Sequence, residues 1–143
     1  MNSVKIKLLQ SGNKDLALAL IRMWCGAMMC MHGWAKITSG GNDFVAYVVN
    51  DLHMHATFGW LAIGAEFMGG ILLMLGLMTR PAALFILVTM CTAGFVAHGD
   101  DPWSKKEPAL GYAVMALAFF VAGGGKAGID AIIVRILERK VRT

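Results

Sequence analysis

A few ionisable side chains interrupt long apolar stretches of this sequence, and these residues are the best candidates for chemistry. Glu66 interrupts the apolar stretch 57–78. Arg22 and His32 interrupt the earlier stretch 16–37. A charged group near the middle of a bilayer costs about 2.5–3.5 kcal/mol on insertion scales, so it normally faces the protein interior and has a partner. We therefore expect these side chains to lie inside a helical bundle.

Helix geometry makes Arg22 and His32 the candidate partners of Glu66. In antiparallel helices with a rise of about 1.5 Å per residue, His32 lies roughly 6 Å and Arg22 roughly 9 Å from Glu66 in depth. Arg22 shares a helical stripe with Gly26 and Gly33, and small residues let neighbouring helices approach closely. An Arg22–Glu66 ion pair that only fixes the helix register and a functional polar site both fit this pattern.

Further polar side chains are expected on the outer half of the same bundle. Tyr112 falls at a depth similar to His32, whereas Lys36 and His98 fall nearer the outer surface. The simplest arrangement is a polar pocket that opens outward between the helices. Its candidate ligand-binding residues are Arg22, His32, Lys36, Glu66, His98 and Tyr112. A histidine and a carboxyl group at different depths supply the hydrogen-bond donor and the proton route that a quinone carbonyl needs. No catalytic residue is assigned.

Metal binding has little support in the sequence. A sulfur-rich segment of the first apolar stretch would suit Cu(I), but Cys25 and Cys30 are five residues apart and point to different helix faces. On the following loop, Asp51, His53 and His55 form at most half of a divalent-metal site. We therefore predict no metal.

The elements that position these residues are predicted to be membrane helices. The chain has 143 residues, 57% hydrophobic and 15% charged, whereas soluble domains carry about 25% charged residues. Four apolar stretches approach the length of about 20 residues that a spanning helix needs. We predict an all-α fold, an integral membrane four-helix bundle that forms a single domain over residues 1–143. The helices are expected at about 15–37, 57–78, 80–98 and 107–125, with a loop over 38–56.

The charged residues predict the placement of this bundle in the membrane. After Gly128, apolar and charged residues alternate at helical spacing, which is typical of a short amphipathic interfacial helix, here at about 128–141. A solvated helical extension is the alternative. Basic residues gather on the side of both termini, namely Lys5, Lys7, Lys14, Arg80, Lys126, Arg135, Arg139, Lys140 and Arg142. This asymmetry predicts a multi-pass protein of the cytoplasmic (inner) membrane with both termini cytoplasmic.

Two other interpretations of the basic residues are less consistent with the sequence. Lys5, Lys7 and Lys14 resemble the basic region of a signal peptide, but Arg22 breaks the apolar core and no small-residue cleavage site follows. The formal net charge of +4 is spread over the flanks of apolar runs rather than gathered into one basic patch. Nucleic acid is therefore not a predicted partner.

Several motifs together resemble the DoxX family of membrane proteins. The first helix does so through Arg22 followed by His32-Gly33-Trp34-Ala35-Lys36. Later motifs are Glu66-Phe67-Met68-Gly69-Gly70, Gly76-Leu77-Met78-Thr79-Arg80-Pro81-Ala82, His98, the segment 103–112 and Gly123-Gly124-Gly125 with Ile129-Asp130. The resemblance covers roughly residues 16–131. Gly124 stands where the family pattern has proline.

The resemblance implies a four-helix membrane bundle linked to a respiratory or redox system. The family name comes from association with a quinol-oxidising or thiosulfate:quinone oxidoreductase system, and other members act in oxidative-stress defence with soluble redox partners. The wider superfamily includes assembly factors and chaperones. The leading hypothesis is therefore a membrane subunit of a redox system, with quinone as the candidate cofactor. Its expected partners are the lipid bilayer, redox-protein subunits and further copies of the same chain. It could be a subunit of an oxidoreductase but is not expected to be a complete enzyme. A ligand-free scaffold and a small proton-coupled transporter are the alternatives.

Overall fold

The computed structural model describes residues 13–141, and within that range it contains six helices and no strand. The helices are α1 (Lys14–Thr38), α2 (Gly41–Asn50), α3 (Ala56–Leu75), α4 (Thr79–Thr92), α5 (Trp103–Ala122) and α6 (Ile129–Val141). A π-helical segment, Ala93–Ala97, continues α4 without a break. The prediction of an all-α fold is confirmed. Lys5, Lys7 and Arg142, which contribute to the predicted charge asymmetry, lie outside the described residues.

Three of the described helices are long and apolar enough to cross a membrane. They are α1, α3 and α4 with its π-helical continuation, Thr79–Ala97. The fourth predicted span corresponds to α5, whose first two turns contain Lys105, Lys106 and Glu107. These three charges leave α5 outside the group of helices that length and composition alone assign to the membrane.

The helix boundaries differ from the prediction where glycine or proline controls the backbone. Helix α3 ends at Leu75 rather than near 78, because Gly76 adopts the left-handed conformation (φ 67°) that terminates helices. Helix α5 begins at Trp103 rather than near 107, directly after Pro102, and it ends at Ala122 rather than 125. The proline fixes φ at a value that suits a helix start, and Gly123 follows with a positive φ of 74°.

The predicted loop over residues 38–56 is wrong in its central part. Residues 41–50 form α2, which follows Gly40 (φ 96°) and packs mainly against α3. Val45 and Val48 are its buried residues, and their spacing of three is that of one helix face. The glycine turn signal marks the beginning of this helix, and only residues 39–40 and 51–55 of the segment lie outside helices.

Helices α1 and α3 form the closest packing in the described structure. A Cβ atom at Gly26 would lie 2.6 Å from the carbonyl oxygen of Gly70, and one at Gly70 would lie 2.6 Å from the backbone nitrogen of Cys30. The predicted glycine stripe of the first helix is therefore the packing surface, because the two backbones touch there. We call this contact the α1–α3 seam. The main core, with residues such as Met29, Leu73, Ile86 and Phe119, lies between α1, α3, α4 and α5.

Candidate functional site

Arg22 lies at the end of the α1–α3 seam where α3 ends. The residue is only 2% exposed. Its Nη1 atom donates to the carbonyl oxygens of Leu73 (2.7 Å) and Met74 (2.8 Å), and its Nη2 atom donates to that of Ala127 (3.5 Å). The last carbonyls of a helix have no partner within the helix. Arg22 therefore caps α3, and the predicted ion pair between Arg22 and Glu66 is wrong.

Asp130 caps the start of α4, where it accepts hydrogen bonds from backbone N–H groups, whereas Arg22 donates to carbonyl groups at the end of α3. Its two carboxylate oxygens accept hydrogen bonds from the backbone N–H groups of Met78 (2.8 Å) and Thr79 (2.9 Å) at the start of α4. Its own backbone N–H donates to the carbonyl oxygen of Gly76 (2.9 Å). Burial alone would raise the pKa of Asp130, but the hydrogen bonds from Thr79 and Met78 outweigh it and lower the pKa below its ordinary value. We call Arg22, Asp130 and these backbone groups the clasp.

Glu66 lies towards the opposite end of the seam and pairs with Lys36 of α1. Its Oε1 atom accepts a hydrogen bond from the Lys36 ammonium group. The Lys36 nitrogen also lies 4.5 Å from the centre of the Phe44 ring of α2, a distance typical of a cation–π contact. Glu66 is 1% exposed, and among the described residues its Oε2 atom has no hydrogen-bond partner. A buried acceptor of this kind needs a donor from water or a ligand.

A cavity of about 470 Å³ lies beside this ion pair, between α1, α2, α3 and α4. Its volume is within the range of about 300–1,000 Å³ that small-molecule sites occupy. Most of the wall is apolar, with residues such as Phe58, Leu61, Phe85 and Val88. The acidic and basic side chains on the wall are Glu66, Lys36 and His98, and Tyr47 adds a phenol. The cavity therefore offers an apolar enclosure with a few polar groups, as binding sites for amphiphilic molecules do.

His98 follows the π-helical segment and is oriented by Asp101. Its Nδ1 atom lies 2.8 Å from Oδ2 of Asp101, and Lys105 lies 3.5 Å from the other carboxylate oxygen. The hydrogen bond with His98 is the main cause that lowers the pKa of Asp101, and Lys105 adds to it. Because an ionised carboxylate only accepts hydrogen bonds, the proton lies on Nδ1. In the neutral ring, Nε2 is then an acceptor.

The structure therefore brings together three of the six predicted site residues. Lys36, Glu66 and His98 line one cavity, whereas Arg22 belongs to the clasp. His32 and Tyr112 pack edge to face between α1 and α5, with ring centres 5.9 Å apart, and they are not among the residues that line the cavity.

Two aromatic residues of α2, Phe44 and Tyr47, line the cavity and are missing from the predicted site. The apolar residues of 41–50 form one continuous run, 44–49, and a short run of this kind does not distinguish a helix from a buried strand. No periodic signal in the sequence therefore marked Phe44 and Tyr47 as residues of one helix face. Among residues 13–141, no three histidine, cysteine, aspartate or glutamate side chains group as metal ligands do.

Comparison with known proteins assigns the chain to a family. The family model described as DoxX matches residues 17–99. The chain belongs to the DoxX family. It is also 32% identical over 127 residues to a Haemophilus influenzae protein described only as uncharacterized, over 79% of this chain and 87% of that relative. No solved structure matches significantly.

The matched part of this DoxX protein contains the whole cavity. All of the residues on the cavity wall fall between Lys36 and His98, whereas α5 and α6 follow the matched range. Membership of the DoxX family and three apolar helices of sufficient length make the chain a membrane protein whose outer helix surfaces contact lipid. Exposed side chains such as Trp24, Trp60 and Phe85 are suited to that environment.

Proposed function

We propose that this DoxX protein is a membrane subunit that binds a quinone-like amphiphilic molecule in the cavity beside Glu66. One observation carries the proposal: the Oε2 atom of a carboxylate that is 1% exposed faces no donor in the described structure, at the wall of an apolar cavity of about 470 Å³. A ligand with a polar head and an apolar body matches both parts of this wall.

The polar residues of the cavity have distinct chemical roles in this proposal. Lys36 donates a hydrogen bond to a carbonyl oxygen of the ligand, since an ammonium group has three donor positions and Glu66 uses one. The Glu66 carboxylate accepts at Oε2 a hydrogen bond from a hydroxyl group of the quinol form, and His98 can accept at Nε2, so a quinol can release protons at two points. The two electrons of a quinone reduction or quinol oxidation come from, or go to, a partner redox protein.

The placement of the chain in the membrane is part of the same proposal. We infer a single membrane domain in which α5 is the fourth spanning helix, because its uncharged part runs on from Pro108 to Ala122. Lys14, Arg80 and Lys126 lie at the end of the bundle that carries the clasp, which supports cytoplasmic termini. Helix α6, with no buried residue, then lies along the inner membrane surface. Membrane-impermeant labelling of single cysteines at Ser39 and Thr143 tests this orientation, and labelling of Thr143 from outside intact cells would contradict it.

Ligand binding is tested with the protein in lipid nanodiscs and a short-chain benzoquinone, reduced to its quinol form, as the probe, because the quinol hydroxyl groups can donate to Oε2 of Glu66. We expect Glu66→Gln and Lys36→Met to weaken binding about tenfold, equivalent to about 1.4 kcal/mol. His32→Ala is the matched control, because His32 is polar and belongs to the same helix as Lys36 but does not line the cavity. Wild-type protein that binds no quinone, or Glu66→Gln protein with unchanged affinity, would contradict the proposal.

One observation favours a second candidate function, that of an assembly partner. All of α6 beyond its first turn is exposed, including Ile132, Ile136 and Leu137, and an exposed amphipathic helix can dock another chain as well as a membrane surface. Purification from native membranes separates the two functions. A stoichiometric protein partner that is lost with Ile136→Asp and kept with Glu66→Gln would support assembly.

A further inference from the structure

A second hollow lies next to the cavity, on the lipid-facing surface between α3 and α4. This groove has a volume of about 330 Å³ and is lined by apolar residues and glycines, with Gly64, Met68 and Pro81 among them. On α3 it extends from Trp60 to Leu72, a distance of about 18 Å at 1.5 Å per residue. It therefore follows the membrane-spanning direction over much of the length of the helix.

The groove and the cavity meet at two side chains. Leu61 and Phe85 line both. Both residues are more than half exposed, at 52% and 57%. The cavity extends from this point towards His98, and the groove extends in the opposite direction towards the clasp. The polar wall at Glu66 is thus followed along the bundle by an adjacent apolar groove about 18 Å long.

We propose that this groove holds the hydrocarbon tail of the amphiphile whose head lies beside Glu66, so the ligand is a long-tailed membrane lipid rather than a small soluble compound. The inference rests on the proposed function and specifies its ligand class. Any lipid-facing groove meets hydrocarbon. This groove adjoins a cavity with an unpartnered buried carboxylate oxygen, so a ligand that occupies both hollows has its polar head at a defined place.

The expected gain from the tail comes from shape rather than from leaving water. Bilayer lipid is as apolar as the groove, so the tail is held by close packing against α3 and α4. Filling the groove should therefore weaken a tailed ligand and leave a tail-less ligand unaffected. Gly64 is the position for this test, since a Cβ atom there meets no heavy atom within 4 Å.

The chain offers a matched control for that substitution. Gly111 of α5 is also a helical glycine at which a Cβ atom meets nothing within 4 Å, and it lines neither hollow. Gly64→Leu and Gly111→Leu are therefore both expected to fold, with the thermal midpoint of the wild type. The two probes are benzoquinones with the same ring, one with a long isoprenoid tail and one with a methyl group in its place. Binding is measured in phosphatidylcholine nanodiscs.

We expect the long-tailed quinone to bind Gly64→Leu about tenfold more weakly than the wild type, while Gly111→Leu is unchanged and the methyl quinone binds all three proteins equally. Equal loss for both quinones, or no loss for the long-tailed one, overturns the tail inference and leaves the proposed function intact. Mass spectrometry of the protein from its own membranes distinguishes the source of the tail. A phospholipid retained by Gly111→Leu but lost from Gly64→Leu, with no quinone bound, supports the groove and contradicts the quinone function. If no tailed amphiphile is found by either method, the tail inference is overturned. If the methyl quinone also fails to bind the wild type, the proposed function is overturned with it.

Discussion

Each end of the α1–α3 seam places a cation of α1 against α3, but the two cations bind different kinds of partner. Arg22 donates to three backbone carbonyl groups and is 2% exposed. Lys36 donates to a carboxylate, its side chain is 27% exposed, and the second oxygen of that carboxylate has no partner in the described structure. The Nε atom of Arg22 also lacks a partner in the described structure, so the two ends differ in their surroundings: the unpartnered atom of Glu66 belongs to a residue on the cavity wall, whereas Arg22 does not line the cavity.

The chemistry of the two side chains accounts for this difference. The planar guanidinium group has five donors in a fixed fork, so it can satisfy several carbonyl groups at a helix end at once. An ammonium group is a compact charge on a flexible stem and can move towards a ligand or water. A buried ion in a membrane helix is therefore a better candidate for a ligand site when it has unused hydrogen-bonding capacity and also lines a cavity, as Glu66 does.

Substitution of Arg22 is expected to change the free energy of unfolding more than any other substitution considered for the two ends of the seam. Arg22→Met leaves the terminal carbonyl groups of α3 without their cap, and each charge-assisted hydrogen bond contributes about 1.5–3 kcal/mol. We expect a loss of about 3 kcal/mol in the free energy of unfolding, measured by denaturation in mixed micelles. Arg80→Met is the control, because Arg80 is exposed and makes one bond, to the carbonyl oxygen of Val121. Equal effects of the two substitutions would show that the clasp is not what stabilises this end.

The second substitution tests the seam that joins the two ends. In Gly26→Ala the new Cβ atom would lie 2.6 Å from backbone atoms of Gly70 and Met74, so the helices must separate. Overpacking of this kind costs about 1–3 kcal/mol, and we expect about 2 kcal/mol here. Gly111→Ala, in open space, should be neutral or slightly stabilising, since alanine favours a helix more than glycine does. Equal thermal midpoints for the two variants would contradict the close packing.

The seam also shows which features the sequence could predict. Gly26 and Gly33 form the predicted periodic stripe of α1, and the structure places it at the helix contact, where Gly26 meets Gly70 of α3. The longitudinal offset between α1 and α3 depends on which glycine meets which backbone, and no pattern in one sequence contains that information. The offset places Arg22 beside Leu73 and Lys36 beside Glu66, so Arg22, which was expected as a possible partner of Glu66, lies in the clasp instead.

The clasp was not predictable for a different reason. Arg22 and Asp130 bind backbone groups, and every residue has those groups, so no residue type marks the partner. Helix α2 was predicted as part of a loop, because its first residues follow the turn pattern Gly40-Gly41-Asn42-Asp43. The three cavity residues that were expected, Lys36, Glu66 and His98, share a simpler signal. Each is an ionisable residue in or next to an apolar stretch.

The third prediction concerns the acid sensitivity of the clasp. Because its hydrogen bonds lower the pKa of Asp130 in the folded state, the carboxylate stabilises the fold at neutral pH. This contribution is lost as the pH falls from the unfolded value of about 3.9 through the lower folded value. We expect Asp130→Asn to cost about 1 kcal/mol at pH 7, as loss of a helix cap does. The difference from the wild type should shrink at pH 3. Asp100→Asn, at an exposed loop position, is the control, and a difference for Asp130→Asn that is independent of pH would contradict the assignment.

Substitution of Glu66, on the cavity wall, is expected to change stability least. The result shows whether Glu66 mainly stabilises the fold, as Arg22 does, or mainly serves ligand binding. Glutamine in place of Glu66 keeps an oxygen that accepts from Lys36, and the partly exposed Lys36 can turn to water. Glu66→Gln removes the buried charge and leaves the partly exposed Lys36, so it does not create an uncompensated buried charge. We therefore expect a cost of less than about 1 kcal/mol, that of weakening one hydrogen bond, in the denaturation assay used for Arg22→Met. The same variant should lose quinone affinity, so stability and binding separate at this residue. A loss of stability as large as that of Arg22→Met would mean that Glu66 holds the helices together as Arg22 does, and the cavity would then have no polar group reserved for a ligand.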